Sequence, residues 1–274
     1  MIYQRLLTGL VCLPLLVAAI LQGGFWFLAV LVICSTIAII EFLKMTSINN
    51  QRTPWLLSIV WTISFLVIGQ YSKEISTFLS WSLVILIVGA FFNALWVIIF
   101  SGRQAIYRAW IIATLGPLYI GFCLAHALAL RNLGLYDDLG RNWILFAIIL
   151  IFTSDTGAYI IGRTLGKHPI APTFSPNKTW EGTIAGFILV LVAALSMNRI
   201  LFPEIVYWQV LLIGATVGLV APIGDLFESK LKRIYGMKDT GAILPGHGGM
   251  LDRLDSILLS IPFVYYFATT IESY

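Results

Sequence analysis

Apolar residues run through this chain in long blocks separated by short polar gaps, not in alternation and not on one helical stripe. A block of about 20 mostly apolar residues, coiled as a helix rising about 1.5 Å per residue, is long enough to cross the hydrocarbon core of a bilayer. Nine blocks are predicted as spans: 6–22, 25–43, 54–71, 76–100, 106–130, 143–162, 183–202, 207–224 and 254–271. The pattern predicts an all-α polytopic integral membrane protein. Residues 1–142 form an N-terminal scaffold of about five spans, and 143–274 a C-terminal, chemistry-bearing region of about four. The first block, behind Arg5, is short like a signal peptide, but no A-x-A site precedes Gly23-Gly24, so it is read as a span. Pro222 and Gly224 are expected to interrupt the eighth block, because broken helices are tolerated where they line a cavity.

Composition removes the soluble alternatives. Of 274 residues, 59% are hydrophobic and 11% charged, with a mean hydropathy of +0.92. Soluble domains carry about 25% charged residues. A net charge of +4 fits basic loops facing anionic headgroups, and nucleic acid is not expected as a partner. Thirteen of the seventeen Lys and Arg residues fall on one side of the predicted topology, among them Arg163, Lys167, Lys178, Lys230, Lys232, Arg233, Lys238 and Arg253. The positive-inside rule makes that side cytoplasmic. The two longest and most basic gaps, 163–182 and 225–253, share it, which predicts an active-site cavity at the cytoplasmic face of a cell-membrane protein. Cys12, Cys34 and Cys123 stand singly in apolar runs, with no metal or disulfide spacing. No internal repeat is evident.

The costly polar residues carry the candidate chemistry. Asp155, in Thr153-Ser154-Asp155-Thr156-Gly157, lies about 12 Å inside its span at 1.5 Å per residue. An acid near mid-membrane costs about 2.5–3.5 kcal/mol, which the apolar residues of the same block offset. It is read as a functional carboxylate or as one paired to a neighbouring helix. Gly157, Gly162 and Gly166 either serve that site or permit close helix packing. Gly162 to His168 is one residue short of a Walker loop and lacks the Ser/Thr after Lys167. In Ser175-Pro176-Asn177-Lys178-Thr179-Trp180-Glu181-Gly182, a helix is predicted to start near Thr179. Lys178 and free N–H groups there could hold phosphate, or the helix start could simply be capped, with Lys178 solvated.

If the helix resumes after Pro222-Ile223-Gly224, then Asp225, Glu228, Ser229 and Lys232 share one face. Lys238-Asp239 follows, and then Gly246-His247-Gly248-Gly249 leads into Asp252, Arg253 and Asp255 at the head of the last span. Glycines let backbone N–H groups approach phosphate oxygens, and the helix dipole favours the same anion. Mg²⁺ prefers oxygen ligands and takes one or two carboxylates plus substrate phosphates, which suits Asp225, Asp252 and Asp255. A lone Asp252 would more often be a helix cap.

Across the 27 positions from Ser229 to Asp255, the pattern Ser229-x-Leu231-Lys232-Arg233-x4-Lys238-Asp239-x-Gly241-x2-Leu244-Pro245-x-His247-Gly248-Gly249-Met250-x-Asp252-Arg253-Leu254-Asp255 resembles the signature of the phosphatidate cytidylyltransferases, without a departure. The stretches 155–166 and 175–182 are similar to further motifs of that family. The resemblance implies transfer of a cytidylyl group from CTP to phosphatidic acid, with Mg²⁺ required, a second, monovalent cation conceivable, and a homodimer. On that reading Asp225, Asp252 and Asp255 hold the metal, while Lys178, Lys232, Arg233, Lys238 and Arg253 meet phosphates. His247 donates to phosphate or braces the loop. Asp155, Glu181, Glu228 and Asp239 stand behind them or at a cation, with Ser229, Gly248 and Gly249 lining the substrate. A transporter, or another CTP-dependent lipid enzyme such as a CDP-archaeol synthase or polyprenol kinase, is the competing reading.

Overall fold

A computed structural model describes residues 2–46, 54–100, 106–134, 137–243, 246 and 248–272. Helices dominate, in the order α1 (Ile2–Gln22), α2 (Gly24–Thr46), α3 (Trp55–Tyr71), α4 (Ile75–Phe100), α5 (Ile106–Pro117), α6 (Cys123–Arg131) and α7 (Asp137–Leu165). A short hairpin, β1 (Pro169–Ala171) and β2 (Ser175–Thr179), then precedes α8 (Trp180–Leu201), α9 (Tyr207–Ile234) and α10 (Leu251–Glu272). A π-helical turn, Leu118–Phe122, joins α5 to α6, so that Ala109–Arg131 is one apolar stretch.

Among the described residues, seven helices are long and apolar enough to cross a membrane: α2, α4, the joined α5–α6, α7, α8, α9 and α10. The other two expected spans, α1 and α3, are helical as well; within their described residues the apolar helices are Thr8–Gln22 and Trp55–Tyr71, and the count of nine spans is not confirmed. Large apolar side chains such as Trp81, Ile87 and Phe91 of α4 are exposed on the protein surface, as lipid-facing positions should be.

Pro222 does not break the eighth span. α9 runs without interruption from Tyr207 to Ile234, ten residues beyond the expected end, and the polar gap expected from 225 begins only at 235. A proline ring forfeits one backbone hydrogen bond, whereas unwinding would strand several in a medium that offers no replacements. The all-α expectation holds, and the short hairpin is a local addition to it, with β1 and β2 antiparallel and Pro169 opposite Thr179.

The compact units do not follow chain order. One comprises Met1–Leu133 with Asp239–Asp252, the other Gly134–Lys238 with Arg253–Tyr274. In the first, α3 packs against α2, α4, α6 and the π turn. Phe78 and Phe122 stack at 6.1 Å, and the His126 ring meets Phe78 edge-on at 4.8 Å. Buried Arg131 ends α6 by donating from Nε to the Ile20 carbonyl at 2.7 Å, tying it to the end of α1. In the second unit α8 lies between α7 and α9, over a core of Trp143, Phe146 and Phe202.

Candidate active site

The second unit builds its polar cluster on close helix packing. Gly182 and Gly186, four residues apart, present the bare backbone of α8 to α7: a Cβ at Gly186 would come 2.7 Å from the Ser154 carbonyl, and one at Gly182 2.5 Å from that of Ala158. Gly157 of α7 reciprocates, since a Cβ there would meet Leu189 at 2.7 Å. Such small-xxx-small seams let backbones approach where lipid supplies no hydrophobic drive. The packing reading therefore holds for Gly157 and Gly162, which face α8, whereas Gly166 lies against Thr179 at the end of β2; the seam sets the first turns of α8 beside the part of α7 that carries Asp155. α9 and α10 use the same device, because a Cβ at Gly224 would press on the Asp255 carbonyl at 2.5 Å.

The groups so gathered are acid and base. Lys178, on β2, reaches the Asp225 carboxylate of α9 at 2.5 Å, with both side chains only partly exposed. Asp225 is close enough to interact electrostatically with both Asp155 and Asp255, and Arg253 with Asp155. Ser256 donates from Oγ to Asp155 Oδ1 at 3.2 Å, and its N–H donates to Asp255 Oδ1 at 2.7 Å. Along α9 the predicted face forms as expected: Ser229 Oγ donates to Asp225 Oδ1 at 3.4 Å, and Lys232 pairs with the fully buried Glu228 at 3.1 Å. Three carboxylates, Asp155, Asp225 and Asp255, are thus brought within one another's electrostatic reach, with Lys178 paired to Asp225.

Other predicted residues are held by the protein's own backbone. Thr179 caps α8 by accepting from the Gly182 N–H at 3.3 Å, as the capping alternative expected, yet Lys178 beside it is paired to Asp225 rather than solvated. Glu181 clamps the start of the hairpin: Oε2 accepts from the Lys167 and His168 N–H groups, and Oε1 meets the His168 ring at 2.5 Å. Arg233 donates to the carbonyls of Phe174 and Met237, joining the hairpin turn to the end of α9. Lys238 is exposed just beyond α9.

In the first unit, described residues of the segment 239–252 gather around two carboxylates. Asp252 Oδ2 accepts from the Thr240 N–H (2.9 Å), the Thr240 hydroxyl (3.0 Å) and the Gly249 N–H (2.8 Å). Gly248 has φ +84, a conformation that suits glycine, and a Cβ there would come 2.9 Å from Asp252 Oδ2. Exposed Asp239 lies on the same side of Gly248. The Gly249 N–H, read from sequence as a phosphate donor, is thus spent on Asp252. His247 lies outside the described residues. Three participants were missed in sequence, Glu41 of α2, Thr240 of the signature segment and Ser256 of α10. Glu41 Oε2 accepts from the Leu251 N–H at 2.9 Å and stands 3.3 Å from the Thr240 hydroxyl. Its signal was available, since it is an acid inside an apolar block, the same feature that singled out Asp155.

A polytopic helical membrane protein with acids and bases gathered on its C-terminal helices matches one family along nearly its whole length. Residues 3–271 match the model of the cytidylyltransferase family, and the chain belongs to that family. It is 34% identical over 263 residues to the phosphatidate cytidylyltransferase of Bacillus subtilis (strain 168), covering 96% of each chain. Similar proteins of that name from Staphylococcus saprophyticus and Staphylococcus aureus (strain COL) are 33% and 32% identical, over 95% of this chain and 96% of each relative.

Proposed function

We propose that this protein transfers a cytidylyl group from CTP to phosphatidic acid, giving CDP-diacylglycerol and pyrophosphate at the cytoplasmic face of the cell membrane. A phosphatidate oxygen attacks the α-phosphorus of CTP; the new P–O bond forms as the bond to the bridging oxygen of the leaving pyrophosphate breaks. Phosphate monoesters are already largely ionised near pH 7. Positioning and charge neutralisation therefore dominate over general-base chemistry.

The observation that carries this reading is the convergence of Asp155, Asp225 and Asp255 with Lys178 on the elements bearing the family signature. Among the described residues no group of three or more His, Cys, Asp or Glu stands ready to hold a metal ion. The donor set nevertheless fits Mg²⁺, which commonly takes one or two carboxylates and completes its shell with substrate phosphates and water. Asp225 and Asp255 would hold it, while Asp252, expected from sequence as a third ligand, spends Oδ2 on Thr240 and Gly249; the ion would neutralise charge on the phosphates. Lys178 passes from Asp225 to a substrate phosphate, and Lys232 and Arg253 add positive charge from α9 and α10. Asp155 and Ser256 orient Asp255. Asp252, with Lys238 and Asp239 at the other end of its segment, sets the conformation of the glycine loop.

The decisive assay supplies purified protein in detergent with labelled CTP, Mg²⁺ and either phosphatidic acid or diacylglycerol, with and without EDTA. CDP-lipid should form with phosphatidic acid alone and vanish with EDTA. Product from neither lipid would overturn the assignment.

A further inference from the structure

Glu41 is 3% exposed, on a helix of the scaffold far in sequence from every motif residue, yet its carboxylate touches the signature segment at several points. Oε2 accepts the N–H of Leu251, the first residue of α10, at 2.9 Å. The Thr240 hydroxyl has a single proton and stands within hydrogen-bond distance of two carboxylate oxygens, Asp252 Oδ2 at 3.0 Å and Glu41 Oε2 at 3.3 Å. Two glycines of the signature leave room for this carboxylate. A Cβ at Gly241 would overlap Glu41 Oε1, and one at Gly249 would overlap the Thr240 hydroxyl and lie 2.6 Å from Glu41 Oε2.

A buried acid in a span is expensive unless its contacts repay it. Those made here go to segment 239–252 and to the N–H that begins α10, the helix whose first turn carries Asp252, Arg253 and Asp255. We infer that Glu41 is a positioning residue for nucleotide binding: through Leu251 and Thr240 it sets the conformation of the signature loop and the starting point of α10. The inference rests on the proposed cytidylyl transfer and adds to it a residue outside the signature.

The test pairs kinetics with amide hydrogen exchange of the purified full chain in detergent. Charged hydrogen bonds of this kind correspond to about a 10- to 100-fold effect, so Glu41→Ala should raise the KM for CTP by about tenfold or more. The KM for phosphatidic acid should stay within about twofold, a split that a mere loss of folded enzyme would not produce. Exchange over 239–252 should speed up in the same variant. Glu41→Gln keeps an oxygen for the Leu251 N–H and should remain within about threefold of wild type in both readouts. Gly241→Ala displaces the carboxylate without removing it and should reproduce the rise in KM, which keeps the test open if Glu41→Ala fails to fold.

A folded Glu41→Ala or Gly241→Ala protein with wild-type KM for CTP and wild-type exchange would overturn the inference, as would Glu41→Gln as impaired as Glu41→Ala. If wild-type protein makes no CDP-lipid, the function fails, while exchange, which needs no substrate, still decides the positioning.

Discussion

Asp225 stands at the meeting point of the second unit's polar cluster, facing Lys178 from the hairpin, Ser229 from its own helix, and the charges of Asp155 and Asp255. Gathering carboxylates is unfavourable in itself, and the arrangement becomes sensible if cationic groups are their occupants. Asp225→Asn should therefore lower turnover by about 10²- to 10³-fold, the usual scale for removing one electrostatic contact to a transition state. Retention of more than about a tenth of wild-type kcat would remove Asp225 from the machinery. Lys178→Met should also be costly, because it leaves Asp225 without its nearest counter-charge. The double variant Lys178→Met/Asp225→Asn should lose much less than the product of the single losses, since residues acting on one another are not additive. Multiplicative kinetics would mean that the pair does not act as a unit.

Among the elements, the α7–α8 seam determines whether Asp155 and the Thr179 cap can serve one site. Gly182 and Gly186 of that seam lie against backbone atoms, which cannot move aside as a flexible side chain can. Gly186→Val should force the helices apart and cost about 1–3 kcal/mol by overpacking. The expected outcome is a lower unfolding temperature in detergent, together with lost activity. Gly236→Ala, at a positive φ but with open space around its position, should cost less, through backbone strain alone. Equal thermal shifts in the two variants would contradict the seam argument. The continuity of α9 belongs to this scale as well. Proline and glycine are read in sequence as breakers, but in lipid an unwound turn loses more hydrogen bonds than a proline removes.

For the molecule as a whole, the proposed orientation rests on the distribution of basic residues. Thr173, exposed between the strands of the hairpin, lies in a segment that the proposed topology puts inside the cell. In a background with Cys12, Cys34 and Cys123 replaced by alanine, Thr173→Cys should react with a membrane-impermeant maleimide only after the cells are opened. Labelling of intact cells would invert the topology.

How much of this was legible beforehand depended on the range of the interactions involved. Long apolar blocks announce membrane helices because the bilayer acts on composition averaged over about 20 residues, a local quantity. The face shared by Asp225, Glu228, Ser229 and Lys232 is likewise local, set by helical repeat alone. The 27-residue signature identified the chemistry because its polar residues are consecutive in the chain. Partners were not legible. Lys178 on Asp225, Ser256 on Asp155 and Glu41 on Leu251 join residues 47, 101 and 210 positions apart. No periodicity reports a hydrogen bond between distant segments. The chain by itself therefore determined that this is a helical membrane protein with its reactive groups near the C-terminal end. Tertiary structure alone decided which acid faces which base and that a scaffold glutamate braces the signature loop, because packing brings those charges together.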